Sequence, residues 1–331
     1  MAAEGTERGR APARRDLLRF VAVAAAVPVL AACNIRLEDD APTLPLLQRK
    51  SVPDEAVLVD LVRRTTALAQ TAGRIPKPDE SVGRFATLHQ TQADVLRSRL
   101  NTAGVPNHVI DGTPETPETP ETPKTPTTTA TAAVSAPPAA TPEDLAAAEG
   151  ALVTAVLPAL PTVTAANRAV VASVVAACGA AADQLGAPVA WPAADPLPPA
   201  AAVPLLDGTW SAAYAFQVAA AQTSGDLRKR ATDTHTDLRT RATELREMAG
   251  PSAPTEPLGY ALPFPVTTPE AATRLAGQVL TTLVAGGLAP LGTLPEGSSA
   301  TTTLVRLLVA AQGLGRRWGV APVPFPGQAY P

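Results

Sequence analysis

Few side chains in this sequence can do chemistry, because it holds three histidines and two cysteines. His89 follows Phe85 by four positions, and Glu149 precedes Leu152 by three and Val153 by four. Side chains spaced in this way share a helix face with the apolar residues around them. Both are therefore candidates to point inward, and a carboxylate placed inside must be paired, hydrogen-bonded or protonated. His89 and Glu149 could meet across two helices, either as a structural pair or as ligands of a metal ion. His235 lies four residues after Ala231 and three before Leu238, with Asp233 and Asp237 nearby, at the edge of another buried face. It is the third candidate metal ligand. Cys178 sits among alanines and valines and reads as a small core residue, since nothing near it in sequence would lower its thiol pKa. Gly313-Leu314-Gly315 closes a helical pattern and follows no strand, so a dinucleotide-binding loop is excluded. There is no nucleophile elbow, no His-Glu-x-x-His and no cysteine pair. No catalytic residue and no cofactor is expected.

The other cysteine belongs to a different kind of element. Arg14, Arg15 and Arg19 precede the apolar run Phe20 to Leu30, which leads into Leu30-Ala31-Ala32-Cys33. A basic region, a short apolar run and small residues make a secretory signal. The run is too short to cross a bilayer as a helix, which takes roughly 20 apolar residues. Leu30-Ala31-Ala32-Cys33 resembles a bacterial lipobox, which implies that Cys33 is acylated and becomes the first residue of the mature chain. Arg14-Arg15-Asp16-Leu17-Leu18 resembles the twin-arginine consensus, with Leu17 where that consensus prefers phenylalanine, so twin-arginine and general secretion both stay open. Acyl chains contribute about 0.8 kcal/mol per buried methylene, so two or three of them hold a protein firmly on a membrane. The expected place is the outer face of the plasma membrane. A Cys33→Ala chain should leave the membrane fraction, and retention equal to wild type would overturn the anchor.

Those elements must be positioned by a helical protein. Aromatic residues make up only 3% of the chain, and alternating Val, Ile, Tyr and Thr are missing. Alanine, the best helix former, is abundant. Without residues 1–32 the chain carries 22 basic against 27 acidic groups, a net charge of −5. Nucleic-acid binding needs a basic surface and is excluded. With Cys33 lipidated no intramolecular disulfide can form, so stability must come from burial.

The spacing predicts eight helices in two four-helix bundles. After a tether at 33–50, the first bundle spans 51–186. Its first helix starts at Ser51-Val52-Pro53-Asp54-Glu55 and carries Leu58, Leu61, Val62, Leu68, Ala69 and Ala72 inward. Its second runs from Ser81 to Thr102, with Phe85, Leu88, Gln92, Leu96 and Leu100 inside. Residues 109–141 form an insertion around a Thr-Pro-Glu repeat. A three-residue proline period suits an extended or disordered spacer, and Thr/Pro richness on an exported chain suggests O-glycosylation. Thr141-Pro142-Glu143-Asp144 opens the third helix, and the fourth covers Ala165 to Leu185. A proline-rich linker at 187–204 leads to the second domain, 205–331. Its helices are expected at Leu206–Thr223, Asp226–Ala249, from Thr268-Pro269 to Gly286, and at Ser299–Trp318.

Within 206–327, Tyr214-Ala215-Phe216, His235, Tyr260-Ala261-Leu262-Pro263-Phe264-Pro265-Val266 and Pro324-Phe325-Pro326-Gly327 resemble a ferritin-like domain family of unknown function in exported actinobacterial proteins. The resemblance implies a four-helix bundle and supplies no activity. A ferritin-type di-metal site needs a Glu on each of two helices and Glu-x-x-His on each of the others. The residues three before the histidines are Ala86, Val105 and Thr232, so that motif is absent. The expected function is a lipid-anchored cell-envelope protein that binds or scaffolds an envelope partner protein without catalysis. Two alternatives stay open: a degenerate metal-binding or oxidant-handling ferritin relative, and a lipoprotein that binds an apolar ligand.

Overall fold

The computed structural model describes residues 49–76, 79–112 and 138–328. Cys33, Arg14, Arg15 and the whole Thr-Pro-Glu repeat lie outside the described residues. Among the described residues the fold is all-helical, with no strand. The α-helices are α1 (Glu55–Gly73), α2 (Glu80–Thr102), α3 (Asn107–Asp111), α4 (Pro142–Val156), α5 (Ala165–Gln184), α6 (Pro199–Ala221), α7 (Gly225–Ala249), α8 (Pro269–Ala285) and α9 (Ala300–Arg317).

Local chemistry sets the starts. Asp79 accepts a hydrogen bond from Val82 N at 2.8 Å and begins α2. Thr141 and Asp144 satisfy each other's backbone N–H groups in a capping box, with Pro142 at the first helical position of α4. Thr268 caps α8 with a single bond, accepting from Ala271 N at 3.2 Å. Asp54 has left-handed backbone at φ 61°. Its carboxylate reaches across to the start of α5, accepting from Thr164 N at 3.2 Å and from Asn167 Nδ2 at 2.8 Å. Burial opposes that charge, but the bonds from Thr164 and Asn167 and the nearby Arg168 hold the Asp54 pKa below its usual value.

Two expectations need correction. The linker ends earlier than 204, because α6 begins at Pro199 and contains Pro204. Pro199 suits the first helical position, where its missing N–H is not needed. Pro204 is exposed, as is Ala200 four residues before it, so water can take the carbonyl bond that Pro204 cannot make. The insertion is also narrower than 109–141. Ile110 is fully buried in the short helix α3, and Ala140 is buried with its N–H donating to Arg74 O.

Neighbours in sequence pair as α1 with α2, α4 with α5 and α6 with α7. α1 also packs on α4, α6 on α8, and α8 on α9. α5 meets α9, which joins the two sets of helices. A side chain at Gly179 would meet Val309 at 3.0 Å and Trp191 at 3.2 Å, so the glycine permits that approach. One core runs from α1, α2, α4 and α5 into Ala201, Leu206 and Trp210 of α6, Leu245 of α7 and Leu304 and Leu308 of α9. A smaller core at the far end of the second set holds Phe216, Leu238, Leu275, Leu280 and Trp318. The connector belongs to this packing, because Leu197 is buried and Trp191 is half-buried against the first core.

By length and composition, Pro142–Thr162, Ala165–Gln184 and Pro269–Thr293 are apolar enough to cross a membrane. In this fold 78% of the Ala165–Gln184 window is buried among other helices, so α5 is an interior helix.

Candidate functional site

Three helices of the first set each carry one chemically capable side chain in an apolar stripe: His89 on α2, Glu149 on α4 and Cys178 on α5. The alignment follows from helical spacing, since each lies four residues after a buried apolar residue, Phe85, Leu145 and Val174. Packing those stripes together brings the three side chains to one point, and all are fully buried. His89 Nε2 lies 2.5 Å from Glu149 Oε1. One donor atom from each of His89, Glu149 and Cys178 lies within 4.8 Å of the others. Glu149 Oε2 is buried and, among the described residues, accepts from no nitrogen or oxygen donor, while the Cys178 thiol stands beside the carboxylate.

The imidazole is oriented from its other side. Gln92 Nε2 donates to Pro324 O at 2.6 Å, which turns Gln92 Oε1 towards His89 Nδ1 at 2.9 Å. Nδ1 therefore carries a hydrogen and donates it to Gln92, while Nε2 faces the carboxylate. Burial opposes a charge on His89, but Glu149's attraction and hydrogen bond, with Gln92's, outweigh it and raise the pKa. Burial pushes the Cys178 thiol well above its usual range, and the neighbouring Glu149 carboxylate adds to that. Both shifts favour keeping a proton on His89 and on Cys178.

The carbonyl that anchors Gln92 comes from the far end of the chain. Ser173 Oγ donates to Pro326 O at 2.7 Å, and Gln328 Nε2 donates to Ala169 O at 2.8 Å. Phe325 is buried in the shared core. Gly327 has φ 80°, and a side chain there would meet Leu288 at 2.5 Å. The Pro324–Gly327 segment thus fastens the second set of helices to the first, directly over the cluster.

Residues 201–330 match a family described as Domain of unknown function (DUF4439). No curated protein and no solved structure matches the chain. The matched domain supplies the strap over the cluster, while His89, Glu149 and Cys178 all lie before its first residue. Inside the domain, Tyr260 Oη donates to Asp207 at 3.1 Å. Burial and that carboxylate push the Tyr260 pKa up to about 12, so the hydroxyl stays protonated. Trp318 Nε1 donates to Thr234 Oγ1 at 3.0 Å.

A cavity of about 390 Å³ lies between α2, α5, α8, α9 and residues 320–328. Phe85, Leu88, Ala177, Ala181, Val284 and Phe325 form its apolar walls, and Gln184, Gln312 and Arg316 stand among its polar groups. Phe85 also stacks on His89, with ring centroids 6.2 Å apart, so one side chain touches both the cavity and the cluster.

The sequence-level candidates thus divide. His89 and Glu149 meet across α2 and α4. His235 is half-buried on α7, away from any cluster of metal-ligating groups among the described residues. Burial and the nearby Arg239 lower its pKa. Cys178 is a member that the sequence reading placed in the core without a role. Its signal was present, because it shares the stripe of Val171, Val174 and Ala181.

Proposed function

We propose that this chain is an exported binding protein of the cell envelope, held by a lipid on Cys33, whose ligand is an amphipathic molecule with an apolar body. The helices are read as two ferritin-like four-helix bundles, α1, α2, α4 and α5 in one and α6 to α9 in the other. The cavity carries the reading. Its volume falls in the roughly 300–1,000 Å³ range of small-molecule sites. Apolar walls with a few polar groups suit an acyl-like chain whose head stays near Arg316. Its walls come from both sets of helices and from the Pro324–Gly327 strap, so a ligand there would contact each of them. No bond-making step is assigned. A membrane-held protein with this site would capture its ligand at the bilayer surface.

The test is binding of a fluorescent long-chain fatty acid to the purified full-length chain, with native mass spectrometry for co-purifying lipid. Ala180 is half-buried at the edge of the core and lines the cavity, so Ala180→Phe places a ring where the ligand would lie. That variant should weaken probe binding by about tenfold or more, equivalent to about 1.4 kcal/mol. Absence of both lipid and probe binding in wild type, or equal binding by Ala180→Phe, would overturn the reading.

A further inference from the structure

We propose that His89, Glu149 and Cys178 are the ligands of a single divalent cation, Zn²⁺ by the chemistry of the donors. The inference stands on the buried cluster and does not rest on the apolar-ligand reading.

Three observations support it. First, one nitrogen, one oxygen and one sulfur donor converge from three helices within 4.8 Å of one another. A coordinating ion needs only small side-chain adjustments to take all three. Second, Glu149 Oε2 is fully buried with no nitrogen or oxygen donor among the described residues, and beside the carboxylate stands only the weakly donating Cys178 thiol. An orphaned carboxylate oxygen inside a protein is costly, and a cation supplies what it lacks.

Third, His89 already has the surroundings of a metal-bound imidazole. Its Nδ1–H is held by Gln92, and Gln92 by Pro324 O. Such outer partners fix the tautomer and leave Nε2 to the ion.

The donor set selects the metal. A thiolate disfavours Mg²⁺ and Ca²⁺, which take oxygen ligands. Zn²⁺ accepts Cys, His and Glu together, and three protein ligands leave one tetrahedral position. A monovalent soft ion would leave a buried net negative charge.

Because the cluster is closed, the ion is expected to load as the chain folds, and the test includes refolding. The full-length chain is unfolded with chelator, refolded with Co²⁺ or Zn²⁺, and dialysed. Wild type should retain one ion per chain and melt at a higher temperature than the metal-free form. The cobalt protein should also show a thiolate-to-cobalt charge-transfer band. Cys178→Ala places an alanine in an alanine-rich helix, so the fold should survive while the band disappears. Gln92→Leu keeps every ligand and should weaken retention by about 10–100-fold. Wild type that refolds without retaining metal overturns the proposal. So does metal held without the thiolate band, or held equally by Cys178→Ala.

Discussion

Glu149→Ala is expected to lower the unfolding free energy of the metal-free protein by about 3–5 kcal/mol, because it strips the fully buried His89 ring of its carboxylate partner. Urea unfolding in the presence of chelator measures it. His89 and Glu149 are both fully buried, and their contact closes α2 onto α4. The loss reports the broken pair rather than the worth of the pair. Changing both partners to apolar residues of similar volume, as in His89→Leu with Glu149→Met, should therefore recover most of the stability, since such replacements are often neutral or better. Gln92 would then face an apolar neighbour, so Gln92→Leu added to the pair should help further. The pair also gives stability a pH dependence. The folded pKa of His89 is raised above its usual 6.5. The protonated pair therefore contributes fully below about pH 6.5, and its contribution is lost as pH rises through the folded pKa. Wild-type stability should fall as pH is raised above that value, and Glu149→Ala should flatten the profile. A Glu149→Ala loss under about 1 kcal/mol, with the same pH profile as wild type, would show that no ion pair exists there.

How much of this was legible in the sequence depended on how each helix advertises its inner face. In α2, charged and apolar residues alternate with the helical period, and the expected Phe85, Leu88, Gln92, Leu96 and Leu100 are all buried. In α6 the expected face of Trp210, Tyr214 and Val218 is only partly right. Trp210 is buried, but Tyr214 and Val218 are half-buried, and Ala212, Ala213, Ala215, Phe216 and Ala219 lie inside. That helix is alanine-rich on most sides, so periodicity carries little orientation. Trp210 and Tyr214 suggested a face that Phe216 and the alanines took in large part, with α7 and α8 packed against this helix. The prolines misled at the linker for a related reason. A proline count marks a break, whereas Pro199 and Pro204 sit where a helix can tolerate them. Cys178 shows the deeper limit. Its burial was readable from α5 alone, but its meaning came from His89 and Glu149, on helices that only the fold brings together. The Pro324–Gly327 strap is similar. Its residues stood out as a motif, yet nothing local said that a backbone carbonyl there would orient Gln92.

Trp210→Ala should cost about 3–5 kcal/mol, and the transition that remains should still be single. Trp210 is 2% exposed and belongs to the core shared with α1, α2, α4 and α5, although it sits on a helix of the second set. Arg246 lies over its ring at 6.0 Å, so the substitution also removes a cation–π contact. Two independent bundles would respond differently, with one melting early and the other unchanged. A shared core makes each set of helices dependent on the other, because removing one exposes the apolar face of its partner. Urea curves followed by far-ultraviolet circular dichroism and by tryptophan fluorescence should coincide in wild type and in Trp210→Ala, with the midpoint lowered and the slope unchanged. Phe216→Ala provides the contrast. Phe216 is fully buried in the smaller core, with its ring tilted against Trp318 at 5.2 Å between centroids, and should cost a similar amount. If the fold is one cooperative unit, both variants lower the same transition. If Phe216→Ala instead splits it into two, the far end of α6 to α9 unfolds separately, and only the half nearest the His89 cluster is bound to the first set of helices. The strap favours one unit, since Gln92, Ser173 and Ala169 hold residues 324–328 from the other side of the shared core.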